Sequence, residues 1–205
     1  MRFYFDVNNE YVLRKLAIVL CPFLVKGGEW RRKLSDNVQN SHYLSPKDDV
    51  NAADLYIPLM SFTTFILMLA FNIGTGREFH PDLLGITASK GFGMVFFEVI
   101  ILKFIFHLLV ANTSFLELLA LCSYKFVGLV VTQIAGAIFG DNGYYLALIY
   151  SSLMMGFFMF KSLKQSSQMN SVTQNMESLG QSKDYVLYGA AFMQLPIAWY
   201  LGHYQ

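Results

Sequence analysis

Charge is scarce in this chain: 14% of its 205 residues are Asp, Glu, Lys or Arg, where a soluble domain devotes about a quarter. With 55% of the residues hydrophobic, the shortage excludes an ordinary water-soluble globule and makes lipid the expected solvent. Cysteine is nearly absent. Cys21 precedes the first long apolar run and Cys122 lies inside a later one, so no disulfide framework can be read. Catalytic patterns are missing as well: there is no G-x-S-x-G, no H-E-x-x-H and no P-loop. The four histidines, His42, His80, His107 and His203, are scattered at spacings that suit no metal. No enzymatic activity, metal or cofactor is therefore expected. The net charge of +1 says little about partners, and no nucleic acid is expected among them.

What the chain has is apolar length. Crossing about 30 Å of hydrocarbon takes roughly 20 mostly apolar residues. Five segments meet or approach that, near residues 55–73, 91–110, 115–139, 144–160 and 185–201. The first carries Pro58 in its opening turn, where a missing N–H is harmless. The last contains Gln194 and Pro196 and is the span most prone to a kink. The expected fold is an all-α, polytopic membrane bundle of five transmembrane helices, residues 55–205, preceded by a cytosolic segment, residues 1–54.

Within that segment, the stretch from Tyr11 to Val25 is interrupted by Arg14 and Lys15 and ended by Pro22. It lacks the small-residue cleavage site of a secretory signal. Val12, Leu13, Leu16, Val19, Leu20 and Phe23 make it amphipathic, so an interfacial helix is expected. Leu16, Leu20 and Trp30, with the basic triplet Arg31, Arg32 and Lys33, are candidate anchors on a membrane surface bearing anionic lipid. Plain topology signalling explains the same triplet.

Orientation follows from Lys and Arg near the span ends, because positive loops stay in the cytosol. Eleven fall before the first span or between the last two, against Arg77 and Lys90 on the other side. The amino terminus is expected in the cytosol and the tail, 202–205, in the lumen or exterior. The polar stretch 165–183 reads as a mobile cytosolic loop. The short connections 111–114 and 140–143 imply antiparallel neighbours.

Glu98 and Lys125 lie inside spans, where an ionisable group is costly and faces a partner or a cavity. Counted from the turn at 111–114, both reach roughly 20 Å deep at 1.5 Å per residue, so an intramembrane ion pair is expected. A staple between helices and a relay for a proton or substrate both fit that pair; one pair alone is not a pathway. Lys103 and His107 share a face nearer the cytosol, where snorkelling accounts for them. Gly128, Thr132, Gly136 and Gly140 recur every four residues, a small-residue strip that lets backbones approach, within the protomer or at a partner interface.

The segment Asn51-Ala52-Ala53-Asp54-Leu55-Tyr56-Ile57-Pro58-Leu59-Met60-Ser61-Phe62-Thr63-Thr64 resembles the signature of the Yip-interacting factor family. So, in matching order, do Tyr4-Phe5-Asp6-Val7, Cys21-Pro22-Phe23, Trp30, the run from Phe79 to Gly85, Glu98, the run from Ser123 to Gly128 and the run from Phe139 to Tyr145. The resemblance covers nearly the whole chain. It implies a non-enzymatic five-span protein of endoplasmic reticulum, transport-vesicle and Golgi membranes that pairs with a Yip-type membrane protein and binds Rab-family GTPases. Such proteins support vesicle traffic between those compartments. The family also fills the positions of Glu98 and Lys125 with Glu and Lys. Its members usually carry a long polar extension before the segment that here begins at Tyr4, and the resemblance does not extend to contacts made by that extension. A small transporter or lipid-handling protein built on Glu98 and Lys125, or a membrane-shaping protein, is the alternative.

Overall fold

The computed structural model describes residues 2–24, 30, 44–76, 81–108, 113–171 and 180–202. Helix is the regular structure throughout, with no strand among the described residues. Among the described residues, short 3-10 turns occupy Arg2–Phe5 and Pro22–Leu24, and six α-helices follow the order α1 Asn9–Leu20, α2 Tyr56–Gly76, α3 Pro81–Leu108, α4 Phe115–Ser123, α5 Lys125–Ser171 and α6 Gly180–Gly202. Two stretches among the described residues are long and apolar enough to cross a membrane, Tyr56–Gly74 and Phe115–Gln165.

The second of these has 51 residues. As one straight helix it would run about 76 Å, far beyond the hydrocarbon thickness. Gly140 resolves the excess: its backbone sits at φ 69° and ψ −162°, a region that only glycine occupies without strain. The two arms of α5, 125–139 and 141–171, fold back on each other there. A Cβ added at Gly136 would meet the Tyr144 ring at 3.0 Å, and one at Gly128 would meet the Ser151 Cβ at 3.0 Å. Four residues back from Gly140 thus meet four residues forward, and twelve back meet eleven forward.

Helix α6 runs antiparallel to the second arm. Tyr188 stacks on Phe160 at 4.7 Å and Trp199 on Tyr145 at 5.9 Å. Between these, a Cβ at Gly156 would strike the Ala191 carbonyl oxygen at 2.8 Å. Helix α2 lies along the first arm, with Phe62 and Phe65 against Phe126 at 4.8 and 5.8 Å and Asn72 Nδ2 donating to Gln133 Oε1 at 2.7 Å. Helix α3 buries Val95, Val99, Leu102 and Phe106, one face at helical spacing, and leaves Phe97 and Phe104 exposed on another.

Two expected boundaries move. The polar stretch read as a loop from Gln165 stays helical to Ser171, and residues 180–183 already belong to α6. Extending a nucleated helix fixes one residue per hydrogen bond, which Gln, Ser and Met tolerate well. Helix α3 begins ten residues before the apolar run at 91, with Pro81 at its first position. Arg77, the centre of the 111–114 connection, residues 172–179 and the tail beyond Gly202 lie outside the described residues.

Candidate functional site

Two clusters of buried polar side chains lie in the interior. The first holds the amino-terminal segment. Asp54 precedes α2 and caps it, its Oδ1 accepting the Ile57 N–H at 2.8 Å, as a short acidic side chain at a helix start should. The other oxygen, Oδ2, accepts from the Tyr124 hydroxyl and lies 2.8 Å from the Tyr11 hydroxyl. Tyr124 in turn accepts from the Asp54 N–H at 3.3 Å. Tyr11 also reaches the Ala52 carbonyl at 2.9 Å, and Lys15 Nζ donates to the carbonyls of Val50 and Ala52 at 2.8 and 3.1 Å. Lys15 lies 5.5 Å from the centre of the Tyr124 ring and 5.7 Å from that of Phe158, a cation over two aromatic faces. Asp54 has no exposed surface and Lys15 has 3%. Burial, reinforced by the Asp54 carboxylate, pushes the Tyr11 phenol well above its ordinary value of 10.0.

The sequence places Tyr11, Lys15 and Val19 four residues apart, hence on one face of α1, and that face is the one buried. Glu10 and Arg14, paired at 2.6 Å, occupy a second, exposed face. Leu13, Leu16 and Leu20 form a third, with Leu13 exposed and the other two half-buried. The apolar anchors Leu16 and Leu20 therefore flank the docking face of α1. Trp30, expected at the membrane surface, is instead buried with its ring 6.2 Å from Phe158. Arg31, Arg32 and Lys33 lie outside the described residues.

The second cluster joins three helices. Lys125 Nζ on α5 donates to Glu98 Oε2 on α3, and Gln194 Nε2 on α6 donates to Glu98 Oε1. Gln194 Nε2 also lies 3.0 Å from the Met159 sulfur. Both carboxylate oxygens are thereby occupied, and none of the three residues is more than 8% exposed. The cluster lies within one tyrosine side chain of the start of α2, because Lys125 follows Tyr124 and Tyr124 reaches Asp54. It is joined to the first cluster by one step of the backbone. Lys103 Nζ donates to the Thr113 carbonyl, which closes the α3 to α4 connection.

The small-residue strip divides in role. Gly128 and Gly136 face the second arm of α5, and Thr132 is fully buried with its hydroxyl donating to the Leu129 carbonyl at 2.7 Å. Gly140 is the hinge between the arms, and a Cβ added there would meet nothing within 4 Å. Sequence reasoning marked Gln194 only as a weak point in a span; its role as third member of the charged cluster was not anticipated. The Asp54 cluster was missed outright, although Asp three residues before Ile57 and followed by Pro58 is an N-cap signal.

No group of three His, Cys, Asp or Glu among the described residues could hold a metal ion. An open groove of about 570 Å³ lined by Asp82, Gly85, Ile86, Ser89 and Lys90 lies at the start of α3. It is more than two turns along α3 from Glu98.

A family model described as YIF1 matches residues 1–202. The chain belongs to the YIF1 family, the Yip-interacting factors. It is similar to the zebrafish (Danio rerio) protein YIF1A, with 34% identity over 99% of this chain and 66% of that protein, and to the mouse (Mus musculus) protein YIF1A, at 32% over 99% and 68%. The Schizosaccharomyces pombe protein transport protein yif1 is 36% identical over 78% of this chain and 56% of its own length. The chain thus spans about half to two thirds of the length of these relatives. No solved structure matches it.

Proposed function

We propose that this YIF1-family chain is a non-enzymatic membrane trafficking factor with five transmembrane helices. The observation that carries the reading is the family match over residues 1–202 together with yeast relatives named as protein transport proteins. The spans are α2, α3, α4 continued into the first arm of α5, the second arm of α5, and α6. The 51-residue stretch Phe115–Gln165 is long enough for two crossings, and the hairpin at Gly140 supplies the reversal between them; α6, with 23 residues, has the length for another. The distribution of Lys and Arg supports a cytosolic amino terminus and a luminal carboxyl terminus. Helix α1 then lies at the cytosolic face with Leu13, Leu16 and Leu20 toward the headgroups and Glu10 and Arg14 toward water.

The resemblance set out above supports pairing with a Yip-type membrane protein, binding of Rab-family GTPases, and action between the endoplasmic reticulum and the Golgi. The buried clusters favour a scaffold over a transporter, since both oxygens of Glu98 are already held by protein donors. Purification from native membrane in mild detergent, followed by mass spectrometry of stoichiometric companions, tests the reading. A Yip-type membrane protein in that fraction supports it. A lone protomer carrying a small molecule, with stabilisation by that molecule lost in Glu98→Gln, would move the assignment to transport.

A further inference from the structure

The two buried clusters meet at consecutive residues. Helix α4 ends at Ser123 and α5 begins at Lys125, so Tyr124 is the single residue belonging to neither. Its backbone stays near helical values, φ −59° and ψ −17°. Side chains one position apart on such a backbone diverge by about 100°. Tyr124 accordingly turns to Asp54 and the amino-terminal segment, while Lys125 turns to Glu98 and, through it, to Gln194 on α6. One peptide unit separates what holds α1 from what holds α3 against α6.

The hold on α1 combines polar and apolar contact. Its buried face consists of Tyr11, Lys15 and Val19, and two of those three act through hydrogen bonds to residues 50–54. Val12, Leu16, Ile18 and Leu20 pack half-buried against the core beside them. Hydrogen bonds in a water-poor site are directional and fail together when one member moves, whereas apolar contact tolerates sliding. A displacement of Tyr124 relative to Asp54 carries Lys125 with it.

We propose that the amino-terminal segment is a latch, and that its docked state is transmitted through the Tyr124–Lys125 step to the contact between Glu98 and Gln194. Releasing α1 loosens α3 against α6. Loosening α3 releases α1, because coupling between two sites is reciprocal. The device is independent of the trafficking reading and stands on the two clusters alone.

Hydrogen exchange of the full chain in lipid nanodiscs, read by mass spectrometry, tests it. Tyr124→Phe removes the hydroxyl that bridges the Asp54 N–H and carboxylate and keeps the ring that packs edge-on to Phe158. The expected result is about tenfold faster exchange in α1, the loss of one buried hydrogen bond, with faster exchange also around Glu98 and Gln194. Glu98→Gln, made on the other side, is expected to speed exchange in α1. Tyr11→Phe reports on the same coupling from α1 should Tyr124→Phe fail to fold. Effects confined to the mutated side in both directions would overturn the latch and leave two independent staples.

Discussion

Helix α6 lies against the second arm of α5 with the backbones close enough at Gly156 to leave no room for a Cβ, whereas α3 keeps four phenylalanines exposed and is drawn inward by a charged side chain. At Gly156 the Ala191 carbonyl oxygen comes within 2.8 Å of where a Cβ would stand; at Gly93 on α3 a Cβ would meet nothing within 4 Å. When the solvent is lipid, apolar surface gains little by leaving it, so helices associate by close backbone approach or by polar contacts that lipid cannot replace. The α5–α6 pair uses the first route at Gly156, between two aromatic stacks. Helix α3 relies on the second at Glu98, and Gln194 is where the two routes join.

The largest expected effect tests the polar route. Glu98→Ala leaves Lys125, 4% exposed, without its counter-charge, and a buried charge stripped of its partner typically costs about 3–5 kcal/mol. Equilibrium unfolding in mixed micelles measures it, and the Glu98→Gln, Lys125→Met double variant should lose clearly less than Glu98→Ala. A loss below about 1 kcal/mol for the single variant would mean that α3 is held by something else.

The close-approach route is tested by a matched pair. Gly156→Leu drives a side chain into the Ala191 carbonyl and is expected to cost about 1–3 kcal/mol, as overpacking does. Gly93→Leu faces open space and should fall within about 0.5 kcal/mol of wild type. Equal losses at both positions, measured in the same unfolding series, would erase the distinction between the two helices.

The cluster under α1 extends the comparison to pH. Tyr11 titrates above its ordinary value of 10.0 in the folded protein, so the unfolded chain loses that proton first as pH rises. The stability tied to a neutral Tyr11 is complete below about pH 10 and is lost as pH climbs toward the folded value. Unfolding midpoints should therefore fall less steeply across that range in Tyr11→Phe than in wild type. An identical slope would show that the phenol does not need to stay neutral. The smallest effect is expected at the exposed Glu10–Arg14 pair of α1, where Glu10→Ala should shift stability by less than about 0.5 kcal/mol.

Much of the fold is legible one residue at a time. Apolar length marks the helical segments, Pro81 and Pro58 sit where a helix can begin, and the run Gly140-Asp141-Asn142-Gly143 marks the reversal inside α5. Glu98 and Lys125 stand out because charge inside an apolar run demands a partner, and counting residues from one short connection was enough to bring them to the same height. Gln194 carried no such mark, since an amide within a span has several uses. The Asp54 cluster was hidden for a different reason. Its members Tyr11, Asp54 and Tyr124 are separated by 43 and 70 residues, and nothing local to any of them announces the others.

Composition and periodicity therefore determined the helical elements and the demand of a buried charge for a partner, because each follows from the local cost of leaving a backbone group or a charge unpaired in apolar surroundings. The folded chain alone decided the partners. It set Lys15 of an amphipathic helix beneath α2 and over the Tyr124 and Phe158 rings, sent Trp30 inward, and gave Glu98 a second donor. Those choices depend on which distant groups can satisfy one another in a single packed arrangement, and sequence separation carries no information about that.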